Sequence, residues 1–125
     1  MKYSILYLTT NININLKSTS NIKMQVVCES GLTRGQCGAV SCAIVNVHRR
    51  MTLIDGQKPA FARTADAWNA VIVELKKYHD VAMSQWAETV LLPHMKSNYI
   101  RLRALYVFLE ELANAFAHAF ECMKD

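Results

Sequence analysis

The segment that decides the fold is LRALYVFLEELANAFAHAFECM, residues 102–123. Its apolar residues recur at alternating spacings of three and four, and this spacing places them along one stripe of an α-helix. The stripe consists of Leu102, Leu105, Leu109, Leu112, Phe116, Ala119 and Met123. Further aromatic and apolar residues flank it on both sides, so the apolar face is wider than one neighbouring helix covers. The segment therefore predicts a long helix that is packed on two sides.

A second apolar stripe of helical period lies in residues 68–89. Pro93 follows this stripe, and because proline disfavours helical geometry in the residue before it, we expect the helix to end just before Pro93. Ser97 is the expected N-cap of the next helix. A connection of about four residues is typical of two antiparallel helices. Residues 64–125 are therefore predicted to form an antiparallel helical hairpin hinged at Pro93.

The N-terminal part of the chain carries a different pattern. Residues 11–16 alternate between asparagine and isoleucine or leucine, and this period of two is typical of a half-buried β-strand. Apolar and β-branched runs provide further strand candidates at residues 3–8, 24–28 and 39–47. A short apolar run does not by itself distinguish a buried strand from a buried helix, so residues 39–47 leave both interpretations open.

We therefore predict an α+β fold, in which short antiparallel N-terminal strands precede the C-terminal helical hairpin. The length of 125 residues suits a single domain with its own core. Within it we expect a β-rich, basic segment at residues 1–56, a linker at residues 57–63 and the hairpin at residues 64–125. The strands form either a layer over the hairpin or a peripheral extension, and the wide apolar face of the hairpin favours the layer.

The net charge of +4 is concentrated at the start of the chain, since residues 1–50 hold the whole excess of lysine and arginine over acidic residues. A basic surface of this kind suits an anionic partner. The candidate contacts to nucleic acid are Arg49, Arg50, Arg101 and Arg103. The sequence contains no recognisable nucleic-acid-binding motif, so this function is the alternative and not the main prediction.

No residue pattern predicts a catalytic, cofactor-binding or metal site, and we lean towards a protein without enzymatic activity. The glycines of residues 29–38 lack the spacing and the lysine of a phosphate-binding loop, and we expect an ordinary loop there. His118 and Cys122 lie one helical turn apart, but one falls on the polar face and the other at the apolar edge. His79 lies within the apolar stripe of the first helix and is expected to be a core residue.

The four cysteines follow the spacing of neither a zinc ribbon nor a disulfide framework. We expect free thiols in a reducing, intracellular compartment, with the cytoplasm as the expected location. A disulfide between Cys28 and either Cys37 or Cys42 is the alternative. The sequence lacks an apolar run long enough to span a membrane, so no membrane span is expected.

The apolar surface of the predicted hairpin also indicates a function, because large aromatic side chains make effective anchors in protein interfaces. The candidate interface residues are Trp68, Trp86, Tyr106, Phe108, Phe116 and Phe120. We predict a non-catalytic protein that makes protein–protein contacts, either by self-association as a homo-oligomer or as a subunit of a larger assembly. The alternative is a small nucleic-acid-binding accessory protein that uses the four arginines.

Overall fold

The computed structural model of the chain describes residues 18–51 and 60–123, with side chains from Met24 onward. This part is 84% helical and contains no strand. Its elements are α1 (Ser18–Ser30), α2 (Arg34–Met51), α3 (Thr64–Lys76), α4 (Val81–Trp86), a π-helical turn (Ala87–Leu91), α5 (Leu92–Asn98) and α6 (Leu102–Cys122). The predicted α+β fold is therefore wrong for the described residues, which are mostly helical.

The strand candidates at residues 24–28 and 39–47 both lie in helices, the first in α1 and the second in α2. The buried residues of the second run recur at helical spacing: Val40, Ala43, Ile44 and Val47. Between these buried residues lie Ala39, Cys42 and Val45. Because these three residues are also apolar, the helical spacing cannot be recognised in the sequence. Packing against other helices then outweighs the weak strand preference of the β-branched residues. The strand candidates at residues 3–8 and 11–16 lie outside the described residues.

The expected loop at residues 29–38 is much shorter in the structure, because α1 ends at Ser30 and α2 begins at Arg34. Gly31 has a φ of 69°, a left-handed conformation that glycine adopts without strain and that commonly ends a helix. Thr33 then caps α2. Its Oγ1 accepts a hydrogen bond from the Gln36 N–H, while the Gln36 side chain accepts one from the Thr33 N–H. This reciprocal pair is a capping box, and it fixes where α2 begins.

The first arm of the predicted hairpin is interrupted between α3 and α4. His79, expected in the core, is exposed there and has a left-handed φ of 55°. Its N–H and that of Tyr78 donate to carbonyls three residues earlier, which closes α3 with a tight turn. The apolar stripe was a correct indication of helix, but it gave no sign of this break.

The hinge of the hairpin is at Tyr99–Arg101 and not at Pro93, which lies in the first turn of α5. A proline ring inside an α-helix clashes with the carbonyl four residues earlier. Here the π-helical turn comes directly before the proline, and the Leu92 N–H donates to the Ala87 carbonyl five residues earlier. This wider turn accommodates the proline, so α4, the π-helical turn and α5 form one continuous arm.

Helices α2 and α6 form the central pair of one core. In the α2–α6 pair, the Ser41 Oγ donates to the Ala113 carbonyl, and His48 lies against Tyr106. These contacts show that α2 and α6 are antiparallel. Helix α2 also packs against α3, and α1 packs against α6. The buried residues of α2 and α6 are Cys37, Val40, Ser41, Ala43, Ile44, Val47, Leu105, Phe108, Leu109, Leu112, Ala113, Ala115, Phe116 and Ala119.

Candidate interaction surface

Three of the six aromatic residues predicted as interface anchors lie in the core. Trp86, Phe108 and Phe116 are buried. The Trp86 ring meets Phe116 edge-on with ring centroids 5.5 Å apart, and Phe108 stacks on Tyr99 at 4.2 Å. These contacts join the α4–α5 arm to α6. The three side chains hold the bundle together and are not available to a partner of the folded protein.

The other three predicted anchors keep some exposure. Trp68 and Tyr106 are partly buried, and Tyr106 stacks on the His48 ring at 4.0 Å. Phe120 is 36% exposed, and the guanidinium carbon of Arg34 lies 4.0 Å from its ring centroid. A Cβ added to Gly38 would lie 2.8 Å from the Phe120 ring, so glycine is what permits this close approach of α2 and α6. Phe120 is the most accessible of the six.

The four arginines predicted as nucleic-acid contacts lie at the same end of the bundle. Arg49 and Arg50 are near the end of α2, and Arg101 and Arg103 are at the start of α6. Because α2 and α6 are antiparallel, these two pairs become neighbours although about fifty residues separate them in the sequence. We call this end, together with Arg63 at the start of α3, the arginine end.

The arginines differ in their partners. Arg50 lies 3.6 Å from the Glu74 carboxylate and 5.5 Å from the Phe61 ring centroid. Arg63 lies 3.5 Å from Asp66 in an exposed pair. Arg49, Arg101 and Arg103 are exposed, and none of them forms an ion pair within residues 18–51 and 60–123. Most of the positive charge at this end is therefore open to solvent.

A shallow concavity of about 540 Å³ opens between the starts of α3 and α6. Its lining consists of Ala62, Arg63, Thr64, Ala65, Ile100, Arg101 and Leu102. Arg63 and Arg101 are the N-cap residues of α3 and α6, and neither helix has a side-chain cap. Helix starts carry partial positive charge, which adds to that of the two arginines. Ile100 is 79% exposed, so the concavity offers cationic groups beside an apolar one.

The opposite end of the bundle is closed by side-chain hydrogen bonds. The Asp80 carboxylate accepts from the Met83 N–H at 2.9 Å and thereby caps α4. It also accepts from the Gln36 amide at 2.9 and 3.1 Å. The Gln36 hydrogen bond, followed by that of Met83, lowers the pKa of Asp80 below its usual range. Since Gln36 belongs to the capping box of α2, one side chain links two helix starts, and we call this the capped end.

The candidate metal ligands and nucleophiles do not form a larger cluster. The Cys122 Sγ lies 3.5 Å from His118 Nε2. No group of three or more His, Cys, Asp or Glu side chains that could share a metal ion occurs in the part of the chain that the structure describes. No disulfide joins any two of the four cysteines, and burial raises the pKa of Cys37. The alternative prediction of a disulfide from Cys28 is therefore wrong.

Sequence reasoning missed Ile100 and Arg63 as members of the candidate surface. Placing the hinge at Pro93 put Ile100 inside the second helical arm, whereas it lies in the three-residue link before α6. Arg63 occupies the N-cap position of α3, directly before the predicted start of the hairpin at residue 64. An arginine directly before a predicted helix start was the available signal for this site.

Comparisons with models of known protein families, with curated proteins and with solved structures found no match. Within the described residues, no helix is both long and apolar enough to cross a membrane. A functional proposal for this chain therefore depends on the geometry of its own residues.

Proposed function

We propose that this protein is a non-catalytic interaction protein, either a homo-oligomer or a subunit of an assembly, and that the arginine end contacts its protein partner. The observation that carries this proposal is the juxtaposition of exposed arginines with the 79% exposed Ile100. Arginine is enriched at interface sites of high energy, where its planar guanidinium can donate paired hydrogen bonds to a carboxylate. The side chain of Ile100 adds apolar area that a partner can bury.

The structure changes which residues the proposal uses. The sequence favoured the apolar faces of the hairpin, but Trp86, Phe108 and Phe116 are buried. Phe120 remains accessible, although it lies at the far end of α6 from Ile100. The arginines predicted for the alternative function thereby become the main candidates for protein contact.

Nucleic-acid binding is the second candidate, and the convergence of Arg49, Arg101 and Arg103 favours it as well, because lysine and arginine neutralise backbone phosphates. Tyr99 is the aromatic residue nearest to Arg101 in the sequence. It stacks on Phe108 inside the bundle, so it is not available to stack on a base, and burial raises the pKa of its hydroxyl. This candidate therefore depends on phosphate contacts alone, which favour no sequence.

Gel filtration with light scattering on extracts of the cells that produce the protein tests both candidates. We expect the full chain to elute in a species heavier than its monomer mass of 14.2 kDa. That species should resist nuclease, and it should disappear when Arg49, Arg101 and Arg103 are changed together to glutamate. A matched variant with Lys76, Lys77 and Lys96 changed to glutamate has the same net charge and serves as the control.

Three outcomes are informative. A heavy species that nuclease converts to monomer would support the nucleic-acid candidate against the protein candidate. A monomer in untreated extract would contradict both. Equal loss of the heavy species in the arginine and lysine variants would show that general charge, and not the arginine end, holds the assembly together.

A further inference from the structure

We infer that the concavity between the starts of α3 and α6 binds an acidic protein segment, with a carboxylate between Arg63 and Arg101 and an adjacent apolar side chain against Ile100. This inference rests on the proposed function and names the chemistry of the partner. It differs from the general statement of a basic surface, because it assigns the contact to one site. Arg49 belongs to the same end but does not line the concavity.

Charge complementarity is the first argument for this partner. Arg63 and Arg101 line the concavity from two different helices. Arg101 forms no ion pair with any described residue, and the Arg63–Asp66 pair is exposed on both sides, at 75% and 45%. Exposed pairs are weak, so the carboxylate of a partner can replace Asp66 beside Arg63. A carboxylate placed between the two guanidiniums gains charge-assisted hydrogen bonds from both.

The shape and polarity of the concavity provide the second argument. Ile100 is the most exposed large apolar residue that the structure describes. It lies next to Arg101 in the sequence and in the lining. A nucleic-acid backbone presents phosphates and sugars, which offer no apolar surface to an exposed isoleucine. A protein segment, in contrast, can bury a leucine or valine side chain against Ile100. The apolar neighbour is what favours an acidic protein segment over a phosphate backbone.

Fluorescence polarisation with defined probes tests this inference on the full chain. The probes are a labelled peptide GELEELEG, its glutamine counterpart GQLQQLQG and labelled oligothymidylate. We expect the glutamate peptide to bind, the glutamine peptide to bind at least about tenfold more weakly, and added salt to weaken the glutamate complex. The double variant Arg63→Gln with Arg101→Gln should weaken glutamate-peptide binding by at least about tenfold.

Two matched variants localise the effect. Lys76→Gln with Lys77→Gln removes the same charge at the end of α3, away from the concavity, and it should change the affinity less than about twofold. Ile100→Ser should lower the affinity for the glutamate peptide and leave the affinity for oligothymidylate unchanged. Circular dichroism of each variant should match that of the parent protein, because every changed residue is exposed.

Equal binding of the two peptides, equal effects of the two double variants, or tighter binding of oligothymidylate than of the glutamate peptide would each overturn the inference. These failures are distinguishable from failure of the proposed function. A nuclease-resistant heavy species that requires the arginines, together with no binding of the acidic peptide, would keep the interaction function and reject this partner chemistry.

Discussion

The two ends of this helical bundle differ in whether a side chain caps the first turn of the helices that begin there. At the capped end, Thr33 and Asp80 accept hydrogen bonds from the first turns of α2 and α4, and Gln36 joins them. At the arginine end, α3 and α6 begin at Arg63 and Arg101, which provide no side-chain cap. An N-cap side chain stabilises a helix, so two uncapped starts indicate residues that are not optimised for stability. The first end therefore contributes caps to the fold, and the second is the end for which we propose binding.

The largest expected effect concerns the core that joins the two ends. Phe116 is fully buried against Trp86, and we expect Phe116→Ala to lower the free energy of unfolding by about 3–5 kcal/mol. Phe120→Ala is the matched control one turn later, and because Phe120 is 36% exposed, its loss should be clearly smaller. Urea denaturation measures both. Equal losses would mean that the Trp86–Phe116 contact does not anchor the α4–α5 arm to α6.

The second prediction concerns a variant that removes a helix cap at the capped end. Thr33→Ala removes the acceptor for the Gln36 N–H and should lower the free energy of unfolding by about 1 kcal/mol. Thr33→Ser keeps a hydroxyl in the same position and should restore most of this loss. If both variants unfold at the parent urea concentration, the capping box does not contribute to stability.

The third prediction concerns a variant that adds a helix cap at the arginine end. Arg101 has extended backbone angles suited to an N-cap, so Arg101→Asp should add a side-chain cap and raise the free energy of unfolding by about 0.5–1 kcal/mol. The same change replaces one of the two cations of the concavity with an anion, and it should abolish binding of the acidic peptide. Thermal denaturation and polarisation on one sample measure the two effects. A variant that is less stable than the parent, or that still binds the peptide, would contradict the proposed division between the ends.

The smallest expected effect is a change in how the stability of the protein depends on pH, and it concerns the capped end. Hydrogen bonds from Gln36 and Met83 lower the pKa of Asp80 in the folded state. This stabilisation is therefore fully present above the unfolded pKa of about 3.9, and it is lost as the pH falls through the lower folded pKa. Asp80→Asn keeps a capping side chain without this titration, so its stability should decline less than that of the parent below about pH 4. Parallel acid profiles of the two proteins would contradict this.

The sequence predicted secondary structure correctly where its apolar residues follow one period. It was misleading where apolar residues fit the periods of both a helix and a strand. Residues 102–123 show a single clean stripe, and the predicted helix is confirmed as α6. In residues 39–47, apolar residues occupy both the buried and the exposed positions of α2, so neither period was visible. The break at His79 depends on a left-handed residue and on hydrogen bonds from distant Gln36, which no local pattern encodes.

The candidate site was predictable in its charges but not in its location. The sequence alone is enough to single out the arginines at positions 49, 50, 101 and 103 as a basic set, yet only the antiparallel packing of α2 and α6 makes them neighbours. Three of the predicted aromatic anchors, Trp86, Phe108 and Phe116, are buried for a related reason. A wide apolar face on α6 could be covered by a partner protein or by the chain itself, and α1, α2 and the α4–α5 arm cover much of it.

Site-specific photo-crosslinking in the cells that produce the protein tests the central claim most directly. A benzophenone amino acid is placed at Ile100, at the arginine end, or at Asn114, an exposed residue about three turns after the start of α6. We predict one discrete, nuclease-resistant protein adduct from position 100 and little or none from position 114. Adducts of equal yield from both positions, or an adduct from position 114 alone, would contradict the assignment of the partner to the arginine end.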